Sequence, residues 1–343
     1  MLETLKDLCL LDGISGRENR VRDYIINRIK DKCEYSVDNI GNIIAFKKGR
    51  NTPHKKVMIS AHMDEVGFIV TYVCDNGFLK FAPVGGVDSK VVFGRTVRVG
   101  DNGTVGVIGG KAMHLCDGEE GKNVPSIDRM YIDIGAASKS EAEKYVSIGD
   151  SVHFVSDFVR FGDNKIKAKA IDDRFGCAIM IKMIESDLQY DTHFAFLVQE
   201  EVGCRGAGPA TFAIRPDYAI VLEATTAADV ASVDNEDRVC VQGEGAVVSF
   251  MDRSTVYDRN LFSHAFRCAE KNGIKIQSKT AVAGGNDAGT IHKSCAGVKT
   301  IAISLPCRYI HSACCVGDER DMLSCSQLAL MLSEEYCNDC CGE

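Results

Sequence analysis

The sequence predicts an α/β domain interrupted by a small β-rich domain. Three observations carry this. Short apolar runs alternate with segments of helical spacing in both the first and the last parts of the chain. From about Gly67 to Phe161 that texture gives way to short Val/Ile/Phe-rich runs separated by turns. The length, 343 residues, suits two domains rather than one.

The elements follow in order. Ser15-Gly-Arg-Glu18 reads as a capping box, and Val21, Tyr24, Ile25 and Ile29 continue it at helical spacing, so a helix is expected over about 16–31. Strands are expected at Gly41–Phe46 and Lys56–Ala61, the second short and apolar as a buried strand should be. Asp75-Asn-Gly77 and Asp101-Asn-Gly103 mark hairpins, because Asn-Gly tolerates the positive φ angles of a tight turn. Helical spacing in this stretch is confined to Ser138–Tyr145. After Lys165 the α/β alternation returns. Helices are expected at Asp173–Ile184, Tyr257–Asn272 and Ser324–Tyr336, and buried strands at His193–Gln199, Tyr218–Leu222 and Thr300–Leu305.

Composition bounds the function. Hydrophobic residues make up 45% and charged residues 26%, the balance of a soluble globular protein. A net charge of −8 argues against a general nucleic-acid or anionic-membrane binder. The opening MLETLKDLCLLDG does not read as a secretory signal, and no stretch approaches the ~18–20 apolar residues of a membrane span. A cytoplasmic protein is expected. Sixteen cysteines are then read as reduced and largely buried thiols, Cys74, Cys177 and Cys240 among them. The tail Cys337-Asn-Asp-Cys340-Cys341 is C-x-x-C-like but lacks a second pair at zinc-finger spacing. Cys314-Cys315 falls near the candidate site described next, so its role is left open beside the simple reading of loop packing.

In open α/β sheets ligands collect beyond the carboxyl ends of the strands. There the sequence places His62-Met-Asp64, Glu200-Glu201, Glu223 and His311, and Asp172-Asp173 precedes a helix. Each feature alone has an ordinary reading. A histidine after a strand is usually hydrogen-bonded, a Glu-Glu pair is usually solvated, and Asp-Asp before a helix is usually a cap. Their coincidence at one sheet edge is what points to chemistry. Two histidines and several carboxylates suit two divalent ions such as Zn²⁺, Co²⁺ or Mn²⁺ sharing a carboxylate. Without cations the buried negative charge would be very costly. Spacing alone leaves open which carboxylate meets which ion.

These segments also resemble a known family. SAHMDEVGFIV at 60–70, KAIDDRFGCA at 169–178, VQEEVGCRGA at 198–207, LEATTAAD at 222–229, GGNDAGTIH at 284–292 and RYIHS at 308–312 are similar to the dinuclear-metal aminopeptidases of peptidase clan MH. These form tetrahedral particles and include glutamyl and deblocking aminopeptidases, with some members labelled endoglucanases. LDGISGRENRVRDYI and DNIGNIIAFKKG fit too, so the resemblance covers nearly the whole chain. It implies a mixed-sheet metallopeptidase domain with helices on both faces, at 1–66 plus 162–343, and an inserted dimerisation domain at 67–161. It implies that Asp172 bridges two metals, that His62 and Glu223 complete one site, and that Glu201 and His311 complete the other. Glu200 would be the general base for a water held between the ions. Asp64 would orient the His62 ring, and Asp173 would shape the backbone beside Asp172. The implied activity is removal of N-terminal residues from peptides, in a homo-oligomer built of dimers and as large as a dodecamer.

The sequence departs from the family at three places. Glu223 stands where Asp is frequent, Asn286 where Thr is more familiar, and Ala313-Cys314-Cys315 where a Pro is usual. Three other readings compete. A metal carboxypeptidase or deacylase would share the metal set but recognise a substrate carboxylate. A non-catalytic peptide or metal binder, or a thiol-rich redox protein, would not need Glu200. A glycosidase ranks below these, since it needs an acid–base carboxyl pair rather than two histidine-bearing metal sites.

Overall fold

The computed structural model describes residues 1–118 and 122–339. Helices α1 (Leu2–Leu10) and α2 (Asn19–Ile29) precede strands β1 (Glu34–Val37), β2 (Ile43–Lys47) and β3 (Val57–His62). Strands β4 (Gly67–Val73), β5 (Leu79–Val84), β6 (Thr96–Val99), β7 (Thr104–Gly109) and β8 (Tyr131–Asp133) follow, then the short helix α3 (Lys139–Ala142) and β9 (Ser151–Phe154). Next come β10 (Val159–Phe161), β11 (Lys165–Ala168), α4 (Ile171–Ile184), β12 (Thr192–Leu197), α5 (Ala207–Ile214) and β13 (Tyr218–Thr226). The remaining elements are β14 (Ala246–Val248), α6 (Arg259–Asn272), β15 (Ile276–Ser278), α7 (Ala288–Ile291), β16 (Lys299–Cys307), β17 (Cys315–Asp318) and α8 (Glu319–Cys337).

Eight strands form one sheet in the order β1-β2-β12-β3-β13-β16-β14-β15. Its centre, β12-β3-β13-β16, is parallel, and antiparallel pairings flank it on both sides. Period-two alternation sorts the side chains. Ile59, Phe194, Phe196, Ile220 and Ile303 enter the large core with α1, α2, α4, α6 and α8. Met58, Ala195, Val221 and Ala302 face the opposite way, toward α5 and α7. Helices therefore cover both faces, which is why the central strands carry near-continuous apolar runs such as Phe194–Leu197 and Ala219–Leu222.

The six strands β4 to β9 close into a barrel in the order β4-β5-β8-β7-β6-β9. Phe68, Phe81, Val97, Ile108, Ile132 and Phe154 fill it. Both Asn-Gly turns lie at its hairpins, between β4 and β5 and between β6 and β7.

Three expectations need correction. Ser15 does not cap α2, which begins after Glu18. The Ser15 hydroxyl instead donates to the buried Asp64 carboxylate at 2.6 Å, and a charged acceptor outcompetes a neutral helix end. Cys74 is half-exposed rather than buried, whereas Cys177 and Cys240 are buried. The strand at Tyr218 runs on to Thr226, so Glu223 lies within it rather than after it. Cys340 and Cys341 lie outside the described residues.

A charged network joins the barrel to the segments that follow α1, β3 and β11. Arg98 of β6 makes a two-pronged bond to Asp12 at 2.9 and 2.6 Å, and Lys169 donates to Glu65 at 2.5 Å. His153 of β9 is buried among these groups, with Nδ1 3.9 Å from Glu65. Burial pulls its pKa from 6.5 down to about 4, and Lys169 and Arg98 add to this against the pull of Glu65 and Asp12. The unfolded chain takes up a proton at this residue below pH 6.5, while the fold resists until about 4. Stability is therefore lost as pH falls through that window, by up to about 3 kcal/mol. In urea denaturation at pH 7 and pH 5, His153→Gln should show a smaller pH-dependent loss than wild type. Equal losses would contradict this role for His153.

Candidate metal centre

The carboxyl ends of the four parallel strands share one edge, and the candidate side chains converge there. His62 ends β3, Glu200 and Glu201 follow β12, Glu223 lies in β13, and His311 follows β16. Asp172 and Asp173 stand at the start of α4, which packs against β3. The Asp172–Asp173 peptide is cis, and neither residue has helical angles.

Asp172 faces both histidines, one with each oxygen. Its Oδ1 lies 3.2 Å from His62 Nε2 and its Oδ2 lies 3.3 Å from His311 Nε2. Glu223 stands 3.6 Å from His62 Nε2, and Glu201 stands 3.3 Å from His311 Nε2. Each ring is set by its other nitrogen. His62 Nδ1 donates to the Asp64 carbonyl at 3.1 Å, and His311 Nδ1 donates to the Gly86 carbonyl at 2.8 Å. A carbonyl only accepts, so each Nε2 is the atom turned toward the carboxylates. Asp173 is engaged differently. Its oxygens accept from the backbone N–H groups of His62 and Gly176, leaving Asp172 as the carboxylate to be shared.

The carboxylate of Asp64 ties the strand ends together. It accepts from the N–H of Glu200 at 3.0 Å, the N–H of Glu201 at 3.1 Å and the Ser15 hydroxyl at 2.6 Å. It also lies 3.4 Å from His62 Nδ1. Glu200 keeps Oε2 4.0 Å from His62 Nε2 and takes a hydrogen bond from the Cys204 thiol at 3.3 Å on Oε1.

The electrostatics call for positive charge. Burial pushes the carboxyls of Glu201 and Glu223 well above the usual range, and the Asp172 charge pushes them further. Burial lowers the two imidazoles, yet Asp172 with Asp64 and Glu223 raises His62 well above 6.5, and Asp172 with Glu201 lifts His311 to about 10. Glu223 Oε2 is buried and lacks a hydrogen-bond partner. Ligand atoms of His62, Asp172 and Glu201, and again of His62, Asp173 and Glu223, lie within 4.8 Å of one another. Two imidazoles with several carboxylates and an orphaned oxygen suit Zn²⁺, Co²⁺ or Mn²⁺. The residues present thus fit divalent cations.

The site opens into a cleft of about 430 Å³ lined by Glu200, Cys204, Thr225, Lys279, Gly285 and Ile310, among others. A wider depression of about 990 Å³ lies at the opposite, amino-terminal edge beside Tyr218 and Lys299. Among the described residues it holds none of the grouped ligand atoms.

Several contributors escape sequence reading. Arg174 is fully buried and donates to the carbonyls of Leu8, Met63 and Gly13, fastening α1 and the segment after His62 to α4. Gly176 lets α4 approach β3, since a Cβ there would lie 2.8 Å from that of Ala61. Gly85 has φ +85°, and a Cβ on it would meet Val66 at 2.9 Å beside Glu201. Asn286 is buried, with its amide donating to the Tyr257 hydroxyl at 3.2 Å. Cys314 is half-buried near Arg95 and Cys315 is buried in the core, so both pack.

The chain matches the M42 glutamyl aminopeptidase family over residues 41–328. It is 41% identical over 315 residues to a putative aminopeptidase of Acetivibrio thermocellus, covering 91% of this chain and 92% of that protein. Its fold is similar to that of an aminopeptidase from the archaeon Desulfurococcus kamchatkensis, with TM-score 0.92, 34% identity and coverage of 97% and 94%. It is also similar to the TET1 peptidase of Pyrococcus horikoshii, which can assemble into a tetrahedron or a large octahedral shell, with TM-score 0.85, 35% identity and coverage of 96% and 98%.

A cation that binds the fold and not the unfolded chain stabilises it by about 2.7 kcal/mol at a hundred times its Kd. Thermal melts with zinc should therefore lie above melts with a chelator. Superimposed curves would argue against a metal centre.

Proposed function

Because the chain belongs to the M42 glutamyl aminopeptidase family, we propose that it is a dinuclear metal-dependent aminopeptidase that removes residues from the N-termini of peptides. The observation that carries this reading is the two-sided placement of Asp172, with His62 and Glu223 on one side and His311 and Glu201 on the other. Those five side chains would hold two divalent cations, zinc, cobalt or manganese, with Asp172 shared. Bound there, the cations would polarise the scissile carbonyl and bring the pKa of water toward neutrality.

The protein's own groups do the rest. Glu200 is the general base in this reading: its carboxylate lines the cleft and stands 4.0 Å from His62 Nε2, farther than the oxygens of Asp172 and Glu223. It would take the proton of the attacking water and pass it to the leaving amine. Asp64 holds Glu200 and Glu201 by their N–H groups and orients the His62 ring. The cleft favours an N-terminal end. Glu200, Glu201 and Glu223 line it and attract an α-ammonium. A carboxypeptidase or deacylase needs a cation for a substrate carboxylate. Lys279 is the one lysine or arginine among the described lining residues, and its ammonium donates to the Ala283 carbonyl at 2.7 Å.

We assign the barrel to self-assembly. Val105 and Val107 of β7, and Phe93 before β6, are exposed on it. Light scattering with sizing should give a homo-oligomer built from dimers, and a clean monomer would overturn this part. The free thiols of the described residues suit a reducing cytoplasm.

Glu200→Gln should keep its metal and lose turnover by at least about a hundredfold. Mass spectrometry of an unblocked peptide mixture should show ladders shortened from the N-terminus with wild type only. Near-normal activity of the variant would remove Glu200 as the base, and shortening from the other end would favour the carboxypeptidase.

A further inference from the structure

We propose that this chain carries an additional, inhibitory site for a thiophilic divalent cation, built from Glu200, Cys204 and Asp287. The turn after β12 brings two of the three together. The N–H groups of Gly203 and Cys204 both donate to the Glu200 carbonyl at 2.8 Å, with Cys204 at φ +53°. This folds the Cys204 side chain back toward Glu200, with Sγ 3.3 Å from Oε1. Asp287 arrives from a distant segment, immediately before α7. It is 1% exposed, and its Oδ1 is buried without a hydrogen-bond partner. Ligand atoms of the three residues lie within 4.8 Å of one another.

The donor set has a clear preference. One thiolate with two carboxylates selects Zn²⁺ or Cd²⁺ over Mg²⁺ and Mn²⁺. Cys204 lines the cleft and is partly exposed, so a cation can reach it from solvent. On binding, the S–H bond breaks, a sulfur–metal bond forms, and the proton leaves to solvent. The orphaned Asp287 oxygen gains a partner. Glu200 Oε1 exchanges the thiol's hydrogen bond for the cation, whose charge makes the carboxylate a weaker base at Oε2, the oxygen nearer His62. This consequence rests on the reading of Glu200 as the base, whereas the site itself does not.

The test titrates Cd²⁺ into metal-loaded enzyme while following the ultraviolet thiolate-to-cadmium charge-transfer band. The peptide hydrolysis rate of each protein is recorded relative to its own starting value. Wild type should gain a band worth one equivalent as its rate falls. Cys204→Ser and Cys204→Ala should lack that band and need at least about tenfold more cadmium for the same fractional loss. Identical bands and inhibition in wild type and variants would overturn the site. A Cys204-dependent band with an unchanged rate would uphold the site and count against Glu200 as the base.

Discussion

The buried negative charge at one sheet edge is the constraint on which the rest of this structure depends. Asp172, Glu200, Glu201 and Glu223 are packed between strand ends, with Asp64, Asp173 and Asp287 behind them. Burying a single uncompensated carboxylate costs several kcal/mol. Backbone N–H groups satisfy Asp64 and Asp173, and the Ala224 N–H reaches Glu223 Oε1, but Glu223 Oε2 is left buried without a partner. The two histidines are the opposing charges the protein itself supplies. Cations between them would resolve the same problem and, on the proposed function, tie the stability of the edge to its activity.

The fold serves that edge. The parallel order β12-β3-β13-β16 delivers four segments to it, although they are far apart in the chain. Arg174 and Gly176 seat α4 so that Asp172 reaches between the strands. The barrel contributes too, since the loop after β5 supplies the Gly86 carbonyl that sets the His311 ring. Gln199 and His311 hold positive φ angles of 57° and 59°. Such residues cost on the order of 1–3 kcal/mol each, and here they flank Glu200 and present an imidazole.

Much of this was legible in the sequence because strand ends and apolar runs are local signals. His62, Glu200, Glu201 and His311 follow apolar runs that the structure confirms as parallel strands. Glu223 is read from sequence as following its strand, whereas Ala224-Thr225-Thr226 continues the strand past it without a break in pattern. Helix α1 was missed: it lacks a side-chain cap and is only nine residues long. Strands β14 and β15 are three residues each, too short for periodicity to speak. The long-range partners were silent for a different reason. Ser15 meets Asp64, and Asp287 meets Cys204, across separations that no local pattern encodes. Adjacent Asp172 and Asp173 are equivalent by composition, and their different partners distinguish them only in three dimensions.

The most direct test of the central claim is anomalous diffraction at the zinc edge from crystals grown with two equivalents of zinc per chain. The account predicts two peaks about 3.5–4 Å apart on either side of the Asp172 carboxylate. One should lie against His62 and Glu223, and the other against Glu201 and His311. A single peak, or zinc located away from Asp172, would contradict it.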